Sequence, residues 1–519
     1  MKYKVHCLLA VVAMLALAGI FTHLDEGTPI QRYFQHMEQL PEDPKPEGEL
    51  VTHLPIISIE TGGQKIPGAP IVEEYPLENG FFAYETVGYE LGVHGEELIL
   101  AEITSRDHES DWNTEKQEPS YQGKALIRYR GNSSRHFDKS SYLIRLVDEQ
   151  KLYVNQPMLG MSPASEWVLH GPFLDRTLVR NYVCYSVAGQ VMDYAPNVRY
   201  CELIVDGEYQ GLYLLTEAVT KDEGRVDLTE PEGNRAMTSW MVRWDRENKG
   251  DTHLNTFSHY TYRLGVSIPD LRYPGKNTVT PERIAYVQEE ISQIERVLYS
   301  AEFQDVSRGY QAYLDKESFA QYFILNEFFG NVDAGRFSTY LHKDLRGKVS
   351  PVVWDFNNAC DNYISCVYGD SGFNMTQFPW FGQLLRDEAF VESVISQYRQ
   401  MRKKTLSDEA LAELIDGTVS YLGDAVERNY EVWGYVFEVP EDDYPSYRLY
   451  DGESGFVFDA SRADEVNYLF PIERNHLSYE ASVEQLKTWL YARGAWLDEH
   501  IESLRQYCAE SKNATRILN

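Results

Sequence analysis

The chain has 519 residues, of which 43% are apolar and 13% aromatic, enough to build a large buried core. Its 80 acidic residues outnumber its 48 basic residues and give a formal net charge of −32, which disfavours nonspecific binding to nucleic acid or anionic lipid. The same charge also serves simply to keep a large protein in solution, so it does not fix the charge of a substrate.

The N-terminus carries a hydrophobic segment. Lys2 and Lys4 precede a nearly uninterrupted apolar run from Val5 to Phe21. Lysines in this position indicate a cytoplasmic N-terminus, so we expect the body of the chain outside the membrane. A run of about 17 residues fits either a signal peptide or a short anchor. An A-x-A site at Ala18 leaves secretion and anchoring open, and we predict a signal or anchor segment over residues 1–24.

Composition divides the rest of the chain into three parts. Residues 25–50 contain four prolines among polar and acidic residues, which predicts a linker. Strand-like runs dominate the next part and helical periodicity dominates the last. We therefore predict an α+β fold with a β-rich N-terminal part and a mainly helical C-terminal part. Its core is placed at residues 51–380, and a helical region at 381–519 is expected to pack on that core.

The predicted elements of the first half are mostly strands. Strands are expected at 55–59 and 98–103, followed by a hairpin with strands at 124–130 and 141–147 and a polar tip between them. A helical pattern covers 178–192, and residues 202–215 form a second hairpin with an Asp-Gly turn. Residues 222–275 are polar, and we predict that they are irregular.

Helices dominate the predictions for the second half. They are expected at 281–298 and 316–328, and the second of these runs from an Asp315 N-cap to a stop at Gly330. Ser482 and Gln485 resemble a capping box that opens the last helix.

Six cysteines in a chain of this length do not form a disulfide scaffold, and their spacings resemble no zinc site. Cys184, Cys201 and Cys508 are isolated in patterns that predict buried thiols. Cys360 and Cys366 are close enough in sequence to bridge in an oxidising compartment, provided that their Cα atoms approach to about 4.4–6.8 Å.

The most informative stretch contains two aspartates that flank a predicted hairpin. Asp333 precedes a strand at 339–343, and Asp355 follows a strand at 348–354. A hairpin returns its chain to the starting edge, so the two carboxylates should lie close together. They would repel each other unless a cation lay between them or one carried a proton, which predicts a Mg²⁺ site with a base beside it. Turn capping by both aspartates fits the same pattern.

The order of helix, Asp-bearing loop, hairpin and Asp-Phe is the order in which protein kinases present their catalytic loop and their metal-binding Asp-Phe-Gly. Four blocks of the chain also follow one another in a recognisable series. They are Arg130-Gly-Asn-Ser-Ser134 with Phe137-Asp-Lys139-Ser-Ser-Tyr142, Trp167-Val-Leu with Asp175, Arg180 and Asn181, Gly207 through Glu217, and Asn331-Val-Asp333 through Trp354-Asp355-Phe356. Together they resemble the spore-coat protein H (CotH) kinase family over roughly residues 50 to 507.

The resemblance implies a divergent protein-kinase-like fold that binds ATP with Mg²⁺ or Mn²⁺ and phosphorylates serine or threonine hydroxyls of a protein partner. By matched position, Asp355 would hold the metal and Asp333 would orient or deprotonate the acceptor hydroxyl. Further metal ligands would come from Ser338, Asn357 and Asn362. The nucleotide would be bound by Arg130, Gly131, Asn132, Ser133, Ser134, Lys139, Arg145, Arg180 and Glu217. Each of the basic side chains in this set also fits an ordinary surface charge.

The chain departs from the family pattern at three places. Lys139-Ser140 stands where the family has two lysines, Asn357 replaces an aspartate, and Asp361-Asn362 replaces Gly-Asn. Amide and hydroxyl oxygens are weaker ligands than carboxylates for Mg²⁺. A pseudoenzyme or a surface or coat assembly protein is therefore an open alternative. A glycan-binding wall protein is another, because 37 tyrosines and 9 tryptophans include rings that could stack on sugars.

Overall fold

A computed structural model describes residues 31–76, 82–91, 97–108, 110–131, 133–248, 250–362, 369–437 and 478–509. The chain divides into two units, residues 1–32 and 33–519, and the described strands and helices all lie in the second unit. The predicted leader and the predicted bridge partner Cys366 lie outside the described residues. None of the described helices combines the length and the apolar character that a bilayer-spanning helix needs.

The strands are concentrated in the N-terminal half, as predicted. They are β1 (Val51–Thr52), β2 (Ile56–Glu60), β3 (Pro70–Pro76), β4 (Phe82–Tyr89), β5 (Ile99–Arg106), β6 (Asn113–Thr114), β7 (Tyr121–Arg130), β8 (Ser141–Val147), β9 (Glu166–His170), β10 (Val198–Val205), β11 (Glu208–Glu217), β12 (Trp240–Asp245), β13 (Ile268–Tyr273), β14 (Thr339–Lys343) and β15 (Ser350–Val352).

Most of the helices lie in the C-terminal half, and the mixture of strands and helices confirms the α+β class. The described helices are α1 (Arg180–Gly189), α2 (Phe257–Tyr260), α3 (Pro281–Leu298), α4 (Lys316–Phe328), α5 (Pro379–Leu384), α6 (Glu388–Met401), α7 (Asp408–Leu422), α8 (Asp424–Trp433) and α9 (Tyr479–His500). Short 3-10 helices occur at Gln35–Met37, Ser133–His136, Tyr310–Ala312, Gly434–Phe437 and Ile501–Cys508.

Seven strands close into a barrel in the order β10-β11-β9-β8-β7-β5-β2. Neighbours are antiparallel except where β10 meets β2 and closes the barrel in parallel. The predicted hairpin with a polar tip is confirmed as β7 and β8. Because side chains alternate across a strand, one face of β8 places Tyr142, Ile144 and Leu146 in the barrel core with Trp167.

A second sheet has the order β13-β12-β14-β15, with all neighbours antiparallel. The prediction that residues 222–275 are irregular is therefore wrong for β12 and β13. Their polar residues do not break the sheet because these residues are paired within it: Arg243 on β12 lies opposite Asp270 on β13, and their side chains form an ion pair of 3.4 Å. Cross-strand pairs of opposite charge stabilise a sheet.

The helix boundaries follow the predicted caps with one exception. Asp315 caps α4 by accepting a hydrogen bond from Ser318 N, and Gly330 follows the helix with φ +57°, as the sequence predicts. The predicted capping box at Ser482 is wrong. The N-cap of α9 is Ser478, whose side chain accepts from Ala481 N, whereas the Ser482 hydroxyl donates to the Ser478 carbonyl inside the first turn.

Part of the predicted linker is bound along the body of the protein. The Gln35 side chain pairs with the backbone of Tyr200, because it donates to Tyr200 O and accepts from Tyr200 N. Glu38 forms an ion pair with Arg199, and Lys45 forms one with Asp424. The described residues from Gln35 to Lys45 thus contribute to the packing of the barrel and of α8.

A buried ion pair joins α4 to α9. Arg493 Nη2 lies 3.1 Å from Glu327 Oε2, and both side chains are almost completely shielded from solvent. The same guanidinium donates to the carbonyls of Glu327 and Gly372, while Glu327 accepts from the backbone N–H groups of Asn374 and Met375. The charges are therefore compensated on every side, which a buried pair requires. Because α4 leads into the loop that carries Asp333, this pair also fixes the position of that loop.

Replacing Arg493 by methionine should lower the free energy of unfolding by about 3–5 kcal/mol, because it leaves the Glu327 carboxylate buried without its cation. The matched control is Arg505→Met, which removes exposed ion pairs with Glu392 and Glu502 and should leave the free energy of unfolding almost unchanged. Urea denaturation of both variants measures the difference. Equal losses in the two variants would contradict this account of the α4–α9 contact.

Candidate active site

The hairpin of β14 and β15 brings Asp333 and Asp355 together. Tyr340 lies opposite Val352 and His342 opposite Ser350, so the residue before β14 and the residue after β15 lie at the same end. The proximity of the two aspartates is confirmed, because the Asp333 carboxylate is close enough to raise the pKa of Asp355. The site is thus built on a local β-hairpin that follows the end of α4.

Asp333 is buried, with 7% of its surface exposed. Its Oδ2 accepts a hydrogen bond of 2.9 Å from Asn358 Nδ2. Its Oδ1 lies 3.6 Å from Arg246 Nη2, beyond hydrogen-bond distance, and has no hydrogen-bond donor within the described part of the chain. A buried carboxylate oxygen without a donor is costly, so this atom is a natural acceptor for a ligand.

Asp355 has a left-handed backbone conformation with φ +59°, which is uncommon for a residue other than glycine. Three hydrogen bonds hold it there. Its N–H donates to the Tyr185 hydroxyl at 2.9 Å, its carbonyl accepts from Asn331 Nδ2 at 3.2 Å, and its Oδ1 accepts from Asn357 N at 3.3 Å. Strained backbone held in this way is typical of functional sites.

The electrostatic environment of Asp355 favours a nearby cation. Burial raises the pKa of this carboxyl, the Arg130 guanidinium lowers it, and Asp333 raises it again, with a net increase above the ordinary value. Arg130 also lies over the Trp354 ring at 5.6 Å from its centroid. Arg246 forms an ion pair with Asp333, so each carboxylate has one arginine nearby, yet the pKa of Asp355 stays raised.

An amide network connects α1 to the loop after Asp355. Asn181 Oδ1 accepts from Phe356 N at 3.1 Å, and Asn181 Nδ2 donates both to Asn357 Oδ1 and to His170 Nε2. Burial, followed by the charge of Arg130, lowers the pKa of His170 to about 3, so its ring is neutral at physiological pH and accepts from Asn181. The network fixes the direction of the Asn357 side chain.

A family model described as CotH kinase protein matches residues 127–497. The chain belongs to the CotH kinase family. The match includes the end of β7, all of β8 and α1, both aspartates and most of α9, so the predicted resemblance is confirmed. No curated protein matches the chain.

The predicted metal ligands of this CotH protein lie in two segments. Asp355 and Asn357 are in one loop, and Asn362 Nδ2 donates to the Asn357 carbonyl at 2.8 Å. Ser338 lies directly before β14 and has φ +49°. The assignment of these four residues as ligands stays a prediction.

The predicted nucleotide-binding tip begins directly after Arg130. The Arg130 guanidinium is close enough to Asp355 to lower the pKa of that carboxyl. Gly131 has φ +114°, and a Cβ built there would lie 1.8 Å from Ser134 Oγ, so the turn requires glycine. The Ser134 hydroxyl donates to the Arg130 carbonyl at 3.3 Å. Asn132 and the side chain of Ser133 lie outside the described part of the structure.

The other four predicted nucleotide-binding residues have protein partners in this CotH chain. Lys139 Nζ donates to Asn429 Oδ1, Arg145 pairs with Glu166, Arg180 pairs with Asp175, and Glu217 accepts from Asn197 N. None of these four contacts involves Asp333 or Asp355. Their predicted roles are not tested by these contacts and stay predictions.

Several residues of the site were not predicted as functional. Asn358 follows Asn357 directly, but its hydrogen bond to Asp333 can be identified only once the fold of the loop is known. Tyr185 lies one helical turn after Asn181, so the spacing of α1 could have identified it. Arg246 follows β12 and was hidden in the stretch wrongly predicted as irregular.

The residues of the site fit a divalent cation whose remaining ligands are phosphates and water. Kinase-type Mg²⁺ sites use one or two carboxylates together with substrate phosphates. Burial and the Asp333 carboxylate raise the pKa of Asp355, and Asp333 Oδ1 lacks a hydrogen-bond donor; both features favour a cation. Within the described ranges, no group of three or more His, Cys, Asp or Glu side chains could hold a metal without other ligands.

The raised pKa of Asp355 predicts a pH-dependent effect of Asp355→Asn. The folded state binds a proton at Asp355 more tightly than the unfolded state does. The contribution of Asp355 to stability is therefore present below the unfolded pKa and is lost as pH rises through the folded pKa. With chelator present, the variant should be more stable than the wild type at neutral pH, and the difference should disappear in acid. Each pH unit between the folded and unfolded pKa values is worth about 1.4 kcal/mol.

Asp344, in the turn of the same hairpin, is the control with the opposite sign. Burial raises its pKa, but hydrogen bonds from Ser239 and Thr229 outweigh burial and lower it. Its stabilisation is present above the unfolded pKa and lost as pH falls through the folded pKa. Asp344→Asn should thus be less stable than the wild type at neutral pH, with the loss shrinking in acid. Urea denaturation at several pH values measures the stability changes of Asp355→Asn and Asp344→Asn. Changes of the same sign in the two variants would contradict the environments assigned to these aspartates.

Proposed function

We propose that this CotH protein is an atypical protein kinase that transfers the γ-phosphate of ATP to serine or threonine hydroxyls with Mg²⁺ or Mn²⁺. The observation that carries the proposal is the pair Asp333 and Asp355 at one end of a hairpin, inside the matched family domain. Their environments differ. Asp355 has a restrained backbone and a raised pKa, whereas Asp333 presents one carboxylate oxygen without a donor.

The different environments support different roles. Asp355 holds the metal, with Asn357 as the neighbouring oxygen ligand in the direction set by Asn181. A bound divalent ion would neutralise phosphate charge during transfer. Asp333 Oδ1 accepts the hydrogen bond of the acceptor hydroxyl and takes its proton as a base. Arg130 adds positive charge beside Asp355, where the phosphates of the nucleotide would lie.

A second candidate is a CotH protein that binds a partner but does not transfer phosphate. The position of Lys139 favours it. This lysine, which the resemblance places at the phosphates, is buried, donates to Asn429 Oδ1 at 2.6 Å and lies 5.1 Å from the Tyr213 ring centroid. Burial lowers its pKa well below the ordinary value. This contact with Asn429 competes with binding of the lysine to a phosphate.

The two aspartates should be separable by mutation. Asp355→Ala should weaken Mg²⁺-dependent ATP binding, because the charge of the triphosphate is no longer neutralised near Asp333. Asp333→Ala should leave binding largely intact and slow transfer by about 10²–10⁴-fold, because it acts on the proton-transfer step. Calorimetry of ATP with Mg²⁺, together with a phosphotransfer assay, measures both effects.

Asp344→Ala is the matched control, since it changes an aspartate at the opposite end of the same hairpin. It should alter stability but neither binding nor transfer. If the folded Asp355→Ala protein binds nucleotide as well as the wild type, the metal assignment fails. If the wild-type protein binds ATP but transfers no phosphate, the result favours the second candidate.

We also propose that the body of the protein acts outside the membrane on a protein partner and is held there, or exported, by residues 1–24. The support is the pair Lys2 and Lys4 before the apolar run. Protease added to intact cells should digest the body while a cytoplasmic marker protein survives. Protection of the body until the membrane is permeabilised would refute this topology.

A further inference from the structure

Two cysteines from distant parts of the sequence meet beside the candidate metal loop. Cys184 lies in α1, and Cys360 lies in the loop that follows Asp355. Both are buried; burial raises the pKa of the Cys184 thiol, and the neighbouring Cys360 thiol raises it further. The contact brings together the two elements that the amide network already connects.

The packing of α1 supports this contact independently. Asn181, Cys184 and Tyr185 share one helix face, because residues three and four positions apart are neighbours on a helix. Asn181 accepts from Phe356 N, and the Tyr185 hydroxyl accepts from Asp355 N. The far end of the loop is also fixed, since Cys360 N donates to the Phe329 carbonyl at 2.7 Å. The whole face of α1 that contains Cys184 thus lies against the loop.

We propose that Cys184 and Cys360 form a disulfide site that ties the Asp355 loop covalently to α1. Formation removes two protons and two electrons from the two thiols, and a two-electron thiol oxidant accepts them; in a cell an external disulfide would be reduced to two thiols. Each sulfur forms one such bond. The bridge predicted from sequence between Cys360 and Cys366 is therefore its direct competitor for Cys360.

The bond would add a covalent restraint to the hydrogen bonds that hold Asp355 in its left-handed conformation. This consequence does not depend on kinase activity, because it concerns only how the loop is held. Burial raises the pKa of the Cys184 thiol, so thiolate is scarce and exchange in the folded protein is slow at neutral pH. The test therefore uses a long incubation at mildly alkaline pH.

The full chain is incubated with diamide, a small azo compound that takes up two hydrogens, then acidified, unfolded, alkylated and digested without reduction. Mass spectrometry should find a peptide pair linked through Cys184 and Cys360, and dithiothreitol should release it. Amide hydrogen exchange over residues 355–360 should slow in the oxidised protein, and its Tm should rise by several degrees. Restored exchange after reduction shows that the bond causes the change.

Cysteine variants provide the controls. Cys201→Ser changes another buried cysteine, on β10, and should keep the linked pair, whereas Cys184→Ser should abolish it. A disulfide between Cys360 and Cys366 would overturn the proposal. So would alkylation of both Cys184 and Cys360 in a sample in which oxidation of the partly exposed Cys508 shows that the diamide reacted. If Cys184→Ser does not fold, the presence or absence of the linked Cys184–Cys360 peptide pair in the oxidised wild-type chain tests the proposal.

Discussion

The repulsion between Asp333 and Asp355 is the constraint on which the rest of the site depends. Burial and the second carboxylate both raise the pKa of Asp355. The fold opposes this cost with donors: Asn358 bonds Asp333, while Tyr185 and Asn331 hold the backbone of Asp355. These bonds fix the positions of the carboxylates without neutralising them, because all of the donors are neutral. Arg130 and Arg246 lie near the carboxylates, but the net raised pKa of Asp355 shows that burial and repulsion outweigh them, which favours a further cation.

The elements around the hairpin supply this restraint from two directions. On one side, α1 contacts the loop after Asp355 through Asn181 and Tyr185. On the other, the ion pair of Glu327 and Arg493 anchors the end of α4, from which the Asp333 loop begins. Both the helix that precedes β10 and the C-terminal helix α9 thus position one hairpin end. A buried pair of this kind adds little net stability but strongly penalises any arrangement that separates its charges.

Sequence reasoning succeeded where structure is local and failed where distant residues decide it. The β14–β15 hairpin and the approach of its two aspartates follow from one short stretch, and both are confirmed. The strands β12 and β13 were missed because β12 also pairs with β14, far along the chain, and because their charged residues pair inside the sheet. The hydrogen bond of Lys139 to Asn429 spans 290 positions, so no local pattern could have predicted it.

The replacement of a family aspartate by Asn357 follows the same electrostatic constraint. A third carboxylate here would add a further like charge to the buried pair and raise the pKa of Asp355 again. The neutral amide keeps an oxygen at this position, and the hydrogen bond from Asn181 Nδ2 directs it. Arg130 offsets part of the remaining charge. Under the proposed function, Asn357 would supply an oxygen ligand to the cation without adding a third carboxylate to the site.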